Sequence, residues 1–319
     1  MGDRTGNTHP DRVRSVLADD AGPARSVVAA SWRRSMTVYG LDPADASLPE
    51  TLTEQQLRAV CEAMEPLTRA AQGTLDRLFR AVGDTGCCVL LTNRDGVPVD
   101  RRGAVSDDET FHRWGLWPGA VWSEATEGTN GIGTCLAEGR ALTIHRDQHF
   151  HTKNTGLSCT VAPIYDHQGR LAAALDVSSC RADLTEGFVG LIAAAVADAA
   201  RAIEAQNFRQ AFSGSRILLA ADEDRSTAAL LAVDRHDLVV GATRSARQLL
   251  GITDACIAGS LPAADVLSVA TDAEDLIDAE RGAVRRALAR ADGNVSAAAR
   301  ALGVSRATLH RKLNRLGLH

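Results

Sequence analysis

Near one end of the chain, Leu309, Leu313 and Leu316 recur at i, i+4 and i+7, which puts them on one face of a helix. That spacing turns Arg306, His310, Arg311 and Asn314 outward. Guanidinium groups presented this way can bond phosphate oxygens, or pair with the edge of a guanine through two parallel hydrogen bonds. A helix lying in a DNA major groove meets base edges with its N-terminal residues, so Arg306 is the best candidate for a specific contact.

The elements that must position those side chains are legible just upstream. Leu276, Ile277, Ala283, Val284, Ala287 and Leu288 line one side of a preceding helix, and Asp292-Gly293 stops it. Asn294 is placed to cap a second helix with apolar positions Val295, Ala298, Ala299 and Leu302. Gly303-Val304 form a tight turn, and Ser305 is placed to cap the last helix by accepting a bond from an unpaired backbone N–H. The charge distribution agrees with this helix–turn–helix reading. Overall net charge is -5, but Arg281 to His319 carries nine Arg or Lys against one acid, a balance of +8. The rest carries 26 basic and 39 acidic residues, a balance of -13. An acidic body with one basic end suits a chain that meets phosphates there.

The string GNVSAAARALGVSRATLHRKLNRLGL resembles the Fis-type helix-turn-helix at the end of bacterial enhancer-binding activators. That resemblance implies that Ser305, Arg306, Thr308, His310 and Arg311 lie in or beside the groove, with Lys312 counted among the DNA-binding residues. It also implies that Asn294 and Ser296 approach phosphates and that the helix at 276–290 pairs a dimer.

Upstream, the hydrophobic period changes. SVVAASWRRSMTVYG and the stretch from Thr53 to Arg80 read as helices, whereas CCVLLTN, ALTIHRD, CTVAPIYD and LAAALDVSS read as strands. Asn93-Arg94-Asp95-Gly96 and Asp166-His167-Gln168-Gly169 suit hairpin turns. Glu186 to about Phe212 is helical again, with Phe188, Ile192, Ala195, Ala199, Ala202 and Ile203 on one stripe. Such a helix either pairs with a partner or packs on its own sheet. Between the strands, Glu124, Thr129, Asn130 and Thr134 gather polar groups among glycines beside Trp122. A pocket for a small polar ligand needs little more; alternatively, the segment GTNGIGT is a loop whose polar groups cap helices. Cys159 joins these five as a ligand-contact candidate.

His145, His149 and His151, with Cys159, have metal-ligand chemistry. The spacing of His145 and His149 in a strand-like region does not align their rings, so no metal is expected. Cys87 and Cys88 invite a redox reading, but adjacent strand residues point to opposite faces. Seven cysteines without a C-x-x-C pair argue against a disulfide framework. No apolar run approaches the length of a membrane span, and the polar opening MGDRTGNTHPDRVRS lacks a signal-peptide core, so a cytoplasmic location is expected.

Ser31-Trp32-Arg33-Arg34-Ser35 with Gly40-Leu41-Asp42-Pro43, WSEATEGTNGIGTCLAEGRALTIHRDQHF and SCTVAPIYDHQGRLAAALDVSS are together similar to the acetoin-catabolism activator family. That resemblance implies a GAF sensor domain responding to acetoin, polyols or related alcohols. Members usually carry an ATPase between sensor and DNA-binding domain, which needs G-x-x-x-x-G-K-[ST]. This chain has only two lysines, Lys153 and Lys312, and neither stands in such a motif. Residues 229–267 resemble the opening of a PAS domain.

The expected architecture is multidomain α+β. It comprises an N-terminal helical region at 1–80, a GAF-type α+β sensor with a long exit helix at 81–212, a partial PAS-like connector at 213–271 and an all-α Fis-type domain at 272–319. The expected function is a non-enzymatic, homodimeric transcription regulator that binds double-stranded DNA and a small-molecule effector, with no cofactor or membrane partner. RNA polymerase or an ATPase-bearing homologue would be its further partners. The competing reading is a GAF-based redox or ligand-processing enzyme with a DNA-localising tail.

Overall fold

The computed structural model describes residues 8–18, 26–83, 86–181, 186–220, 229–267 and 276–318. The chain divides into two compact units, Met1–Ala263 and Ala264–His319.

In the first unit, two helices, α1 (His9–Ser15) and α2 (Val27–Thr37), precede the long α3 (Glu54–Val82). Thr53 and Gln56 start α3 with a reciprocal capping box. The strands are β1 (Cys87–Asn93), β2 (Pro98–Arg102), β3 (Leu142–His145), β4 (Ser158–Tyr165) and β5 (Leu171–Ser179). They form one antiparallel sheet in the order β2-β1-β5-β4-β3. The two Asp/Gly segments close the β1–β2 and β4–β5 hairpins, as their composition requires.

Alternation along the strands sends two different sets of side chains to the two faces. Val89, Leu91, Ala173, Leu175 and Val177 meet Leu67, Ala71, Leu75 and Leu78 of α3 on one face. Ile192, Val196, Ala199 and Ile203 of α7 (Glu186–Ala211) join them, so the exit helix packs on its own sheet. Cys88, Leu90, Cys159, Val161 and Ala174 take the other face, under Phe111, Leu116, Trp122, Ile132 and Cys135. That cover comes from α4 (Asp108–Arg113), the loop bearing Leu116 and Trp122, and α6 (Gly131–Glu138), with the short α5 (Glu124–Glu127) between the loop and α6. Cys87 and Cys88 are thereby split between the two cores.

Although the sensor was expected from sequence to begin at residue 81, α3, which lies before it, contributes to the sheet's core. An amphipathic helix ahead of a first strand carries no local mark of the sheet it will cover.

Beyond α7, β6 (Arg216–Leu219), β7 (Leu230–Val233) and β8 (Val239–Ala242) form a three-stranded antiparallel sheet. Phe208 and Ala205 of α7 pack against Leu230 and Ala232. Helices α8 (Arg244–Leu250), α9 (Asp254–Ala258) and α10 (Ala263–Val266) follow. The described part of the PAS-like stretch is a small sheet with helices.

The second unit contains α11 (Leu276–Arg290), α12 (Val295–Ala301) and α13 (Arg306–Leu316) around Val284, Ala287, Ala298, Ala299, Leu309, Leu313 and Leu316. The expected start of this domain at residue 272 lies outside the described residues.

Candidate nucleic-acid interface and sensor core

The turn between α12 and α13 is set by Gly303, whose φ of +67° lies in the left-handed region that only glycine adopts without strain. Ser305 Oγ accepts from Thr308 N at 3.1 Å, and Asn294 Oδ1 accepts from Ser296 N and Ala297 N, both at 3.1 Å. The side chains of both caps are thus spent on their own helices. Arg306, His310, Arg311 and Asn314 are exposed along α13, while Thr308 is half-buried with Oγ1 2.8 Å from Ser305 Oγ. Ser296 is half-buried at the start of α12.

Lys312 stands apart from this face. It and Arg315 both form ion pairs with Glu280 on α11, so its charge is engaged within the unit. Exposed Arg300 on α12, together with Arg285, Arg286 and Arg290 on α11, extends the basic surface. Sequence reading counted these arginines in the charge balance but did not single them out.

The sensor candidates separate into two groups. Glu124 is buried, and Ser31 Oγ and Arg34 reach it from α2. Arg34 Nε donates to Oε2 at 2.7 Å and Nη2 to Oε1 at 2.9 Å. Arg34 Nη2 also bonds Glu138 Oε1 at 3.0 Å, and these carboxylates hold the guanidinium more firmly protonated than usual. Thr129 Oγ1 lies 2.6 Å from Ser31 Oγ, and Thr134 Oγ1 donates to Glu124 Oε1 at 3.4 Å. Asn130 caps α6, accepting from Gly133 N at 2.8 Å. The glycines of GTNGIGT serve close approach: a Cβ on Gly131 would strike Cys159 and Val161, and one on Gly133 the backbone of Trp122–Glu124. Glu124, Thr129 and Thr134 therefore form a clasp between α2 and the cover, and Asn130 is a helix cap. Sequence reading missed Ser31 and Arg34 as the partners, because they stand far upstream.

Trp122 and Cys159 belong to the other group, in the core between the sheet and its helical cover. Trp122 Nε1 donates to the Gly115 carbonyl at 2.8 Å. His149 is fully buried and pulled down to about 4 by burial, so its ring is neutral near pH 7. Its Nδ1 lies 2.9 Å from the Arg146 carbonyl, which can only accept, leaving Nε2 as acceptor for the Cys159 thiol at 3.5 Å. Ser178 Oγ lies 2.7 Å from Asp176 Oδ2 and 3.1 Å from Cys159 Sγ. Burial pushes the Cys159, Cys88 and Cys135 thiols up, which leaves them protonated and poorly nucleophilic. His145, His149 and His151 do not converge: His145 Nδ1 lies 2.9 Å from Ser158 Oγ, and among the described residues no group of three or more His, Cys, Asp or Glu could hold a metal.

The GAF domain model matches residues 66–203, and that of the bacterial regulatory protein, Fis family, matches residues 276–316. The chain thus joins a GAF domain to a Fis-family helix-turn-helix.

Its relatives include the acetoin catabolism regulatory protein of Cupriavidus necator, 37% identical over 240 residues, covering 74% of this chain and 36% of the relative. The acetoin dehydrogenase operon transcriptional activator AcoR of Bacillus subtilis is 28% identical, covering 59% of this chain and 31% of its own. The propane 2-monooxygenase operon transcriptional activator MimR of Mycolicibacterium smegmatis is 30% identical, covering 56% and 27%. The chain spans about a third of the length of these curated relatives. Among solved structures, the E. coli DhaR(N)–DhaL complex matches with a TM-score of 0.51 at 15% identity, covering 71% of this chain and 76% of that one. That likeness concerns the fold alone. No helix among the described residues is long and apolar enough to cross a membrane.

Proposed function

We propose that this chain is a sequence-specific DNA-binding transcription regulator that responds to a small hydroxylated or carbonyl-bearing catabolite. The observation that carries the reading is the exposed row Arg306, His310, Arg311 on a helix capped by Ser305 and held by a buried leucine seam. Arg306 reads a base edge, Arg311 and His310 lie along the groove, and Thr308, Ser305, Asn294 and Ser296 lie at its margins through side-chain or backbone groups. Lys312 is the least direct of the proposed contacts, since Glu280 already holds it.

The relatives named for acetoin and propane operons support a catabolite as the signal. No lysine lies between the GAF and Fis-family matches, so that interval holds no nucleotide-binding G-K-[ST] motif. Regulation then follows from where and when the protein binds, by recruitment of RNA polymerase, by occlusion, or beside an ATPase-bearing homologue. The protein acts as a cytoplasmic homodimer without cofactor or catalysis. The enzyme alternative draws no support from relatives named as regulators or from the buried, protonated thiols.

Chromatin immunoprecipitation of the full chain, with transcript profiling of a deletion strain with and without acetoin, tests this reading. Discrete bound promoters whose transcripts change on deletion, with an acetoin-dependent component, are expected. Uniform recovery of the genome with unchanged neighbouring transcripts contradicts it.

A further inference from the structure

On the side of α3 and α7 turned away from the sheet lies a groove of about 630 Å³. Its charged lining is Arg69 and Arg77 of α3 and Arg201 and Arg209 of α7, against a single carboxylate, Asp198. Outside its basic end the chain has a charge balance of -13, so a cluster of arginines here runs against the composition around it. Arg69 pairs with Glu65 and Arg201 with Asp198, each within its own helix. Arg77 donates to Thr74 Oγ1 at 2.8 Å, and among the described residues neither Arg77 nor Arg209 meets a carboxylate.

The two helices run antiparallel. Val60 and Met64, early in α3, line a cavity with Asn93 and Leu171; Glu204, late in α7, accepts from Tyr165 N at 2.8 Å at that same end of the sheet. Arg69 is thereby matched with Arg209, and Arg77 with Arg201. Within each helix the two arginines are eight residues apart, about 12 Å along the axis. Ala70, Gly73 and Ala202 lie between them and keep the groove open, and no aromatic side chain is among its lining residues. A second copy of the chain docked here about a two-fold axis would set these arginines against their own copies, and like charges oppose that.

We infer that the groove binds a compact polyanion, a molecule with two or more phosphate or carboxylate groups and no large ring, distinct from the catabolite proposed as effector. Guanidinium forks from both helices bond its oxygens, which suits planar, two-pronged recognition of oxyanions. Gln206 and Gln210 supply further donors. The bound anion offsets the repulsion between the facing arginines and ties α3 to α7. Phe208, beside Arg209, packs against Leu230 and Ala232 of β7, so the anion also steadies the segment of α7 that carries the second sheet.

Isothermal titration calorimetry of the full chain at fixed ionic strength tests the site, with inorganic triphosphate, citrate and sulfate as probes on wild type, Arg77→Gln and Arg209→Gln. Triphosphate or citrate should bind wild type more tightly than sulfate does, and the tighter of the two tells whether phosphate or carboxylate supplies the charge. Each substitution should weaken that binding about tenfold, because hydrogen bonds to a charged group are lost. Both positions are exposed, so circular dichroism spectra should match wild type, and if one variant does not fold the other decides. The tighter probe should also raise the melting temperature of wild type more than that of either variant, whereas a general salt effect raises all three alike. Failure of wild type to bind triphosphate or citrate, equal affinity for sulfate, or a general salt effect alone overturns the assignment. Undiminished binding in either folded variant overturns it too, by placing the anion elsewhere on the chain.

Discussion

Arg34 and Glu124 meet through paired hydrogen bonds, Nε to Oε2 at 2.7 Å and Nη2 to Oε1 at 2.9 Å, across a join between α2 and α5. Glu124 is buried, whereas Arg34 is 29% exposed at its side chain. The buried carboxylate therefore depends on Arg34 for its charged partner, with Ser31 and Thr134 as further donors. Arg34→Ala should destabilise the first unit by about 3 kcal/mol, the scale expected when one member of a buried pair is removed. Urea denaturation followed by tryptophan fluorescence measures this. Arg34→Lys should recover only part of the loss, since an ammonium cannot reproduce the two-pronged contact.

Gly303 has open space around the position a Cβ would take, so only its backbone conformation penalises substitution. Gly303→Ala should cost the second unit about 1–2 kcal/mol, and Gly303→Asn less, because asparagine tolerates the left-handed region better. Thermal unfolding of the two variants by circular dichroism checks the order. Equal melting temperatures for glycine and alanine would contradict the turn geometry.

The helix-turn-helix was legible because its signals are local. Leucine spacing, two caps and one glycine turn all lie within a few residues of the groups they position. The partners of the polar sensor residues were not legible, for the opposite reason. Glu124 beside Trp122 looks like a pocket wall until Ser31 and Arg34 arrive from another helix, and sequence separation hides that arrival. Asp176 and Ser178 gave no warning either: they stand in a run legible only as a strand, and sheet order alone shows both of its faces covered. The α3 helix was recognised, yet its membership in the sheet's core follows from packing alone.

Opposing buried groups shape the pH response. Burial raises Asp176 and Glu204 to about 7, so the folded state holds these protons more tightly and stability falls as pH rises from about 4 to about 7. Burial lowers His149 and His151 to about 4, so the unfolded chain binds more protons and stability falls as pH drops from about 6.5 to about 4. The two pairs oppose each other, and wild-type stability should vary little between pH 4.5 and 6.5 on their account. Asp176→Leu removes one acid, so its stability relative to wild type should increase as pH rises through that window. Denaturant midpoints at several pH values report the difference, and an unchanged offset would contradict it.

Half-buried Glu280 forms ion pairs with both half-buried Lys312 and exposed Arg315. Glu280→Gln should change stability little, because solvent screens these ion pairs. It should also strengthen non-specific DNA binding and steepen its salt dependence, because two cations become free to neutralise phosphate. Fluorescence anisotropy with a scrambled duplex over a salt series measures both effects. Weaker binding at low salt would show that Glu280 instead holds α13 in its binding position.

On the proposed function, α13 reads DNA sequence through Arg306. A duplex recovered by selection from random sequence, titrated by gel shift against wild type and Arg306→Ala, tests it most directly. The account predicts inverted half-sites roughly 34 Å apart for a dimer. It also predicts a loss of about 1–3 kcal/mol in binding for Arg306→Ala, with relaxed preference at one base of each half-site and an unchanged circular dichroism spectrum. No sequence preference in the wild type, or equal affinity and preference in the folded variant, would contradict it.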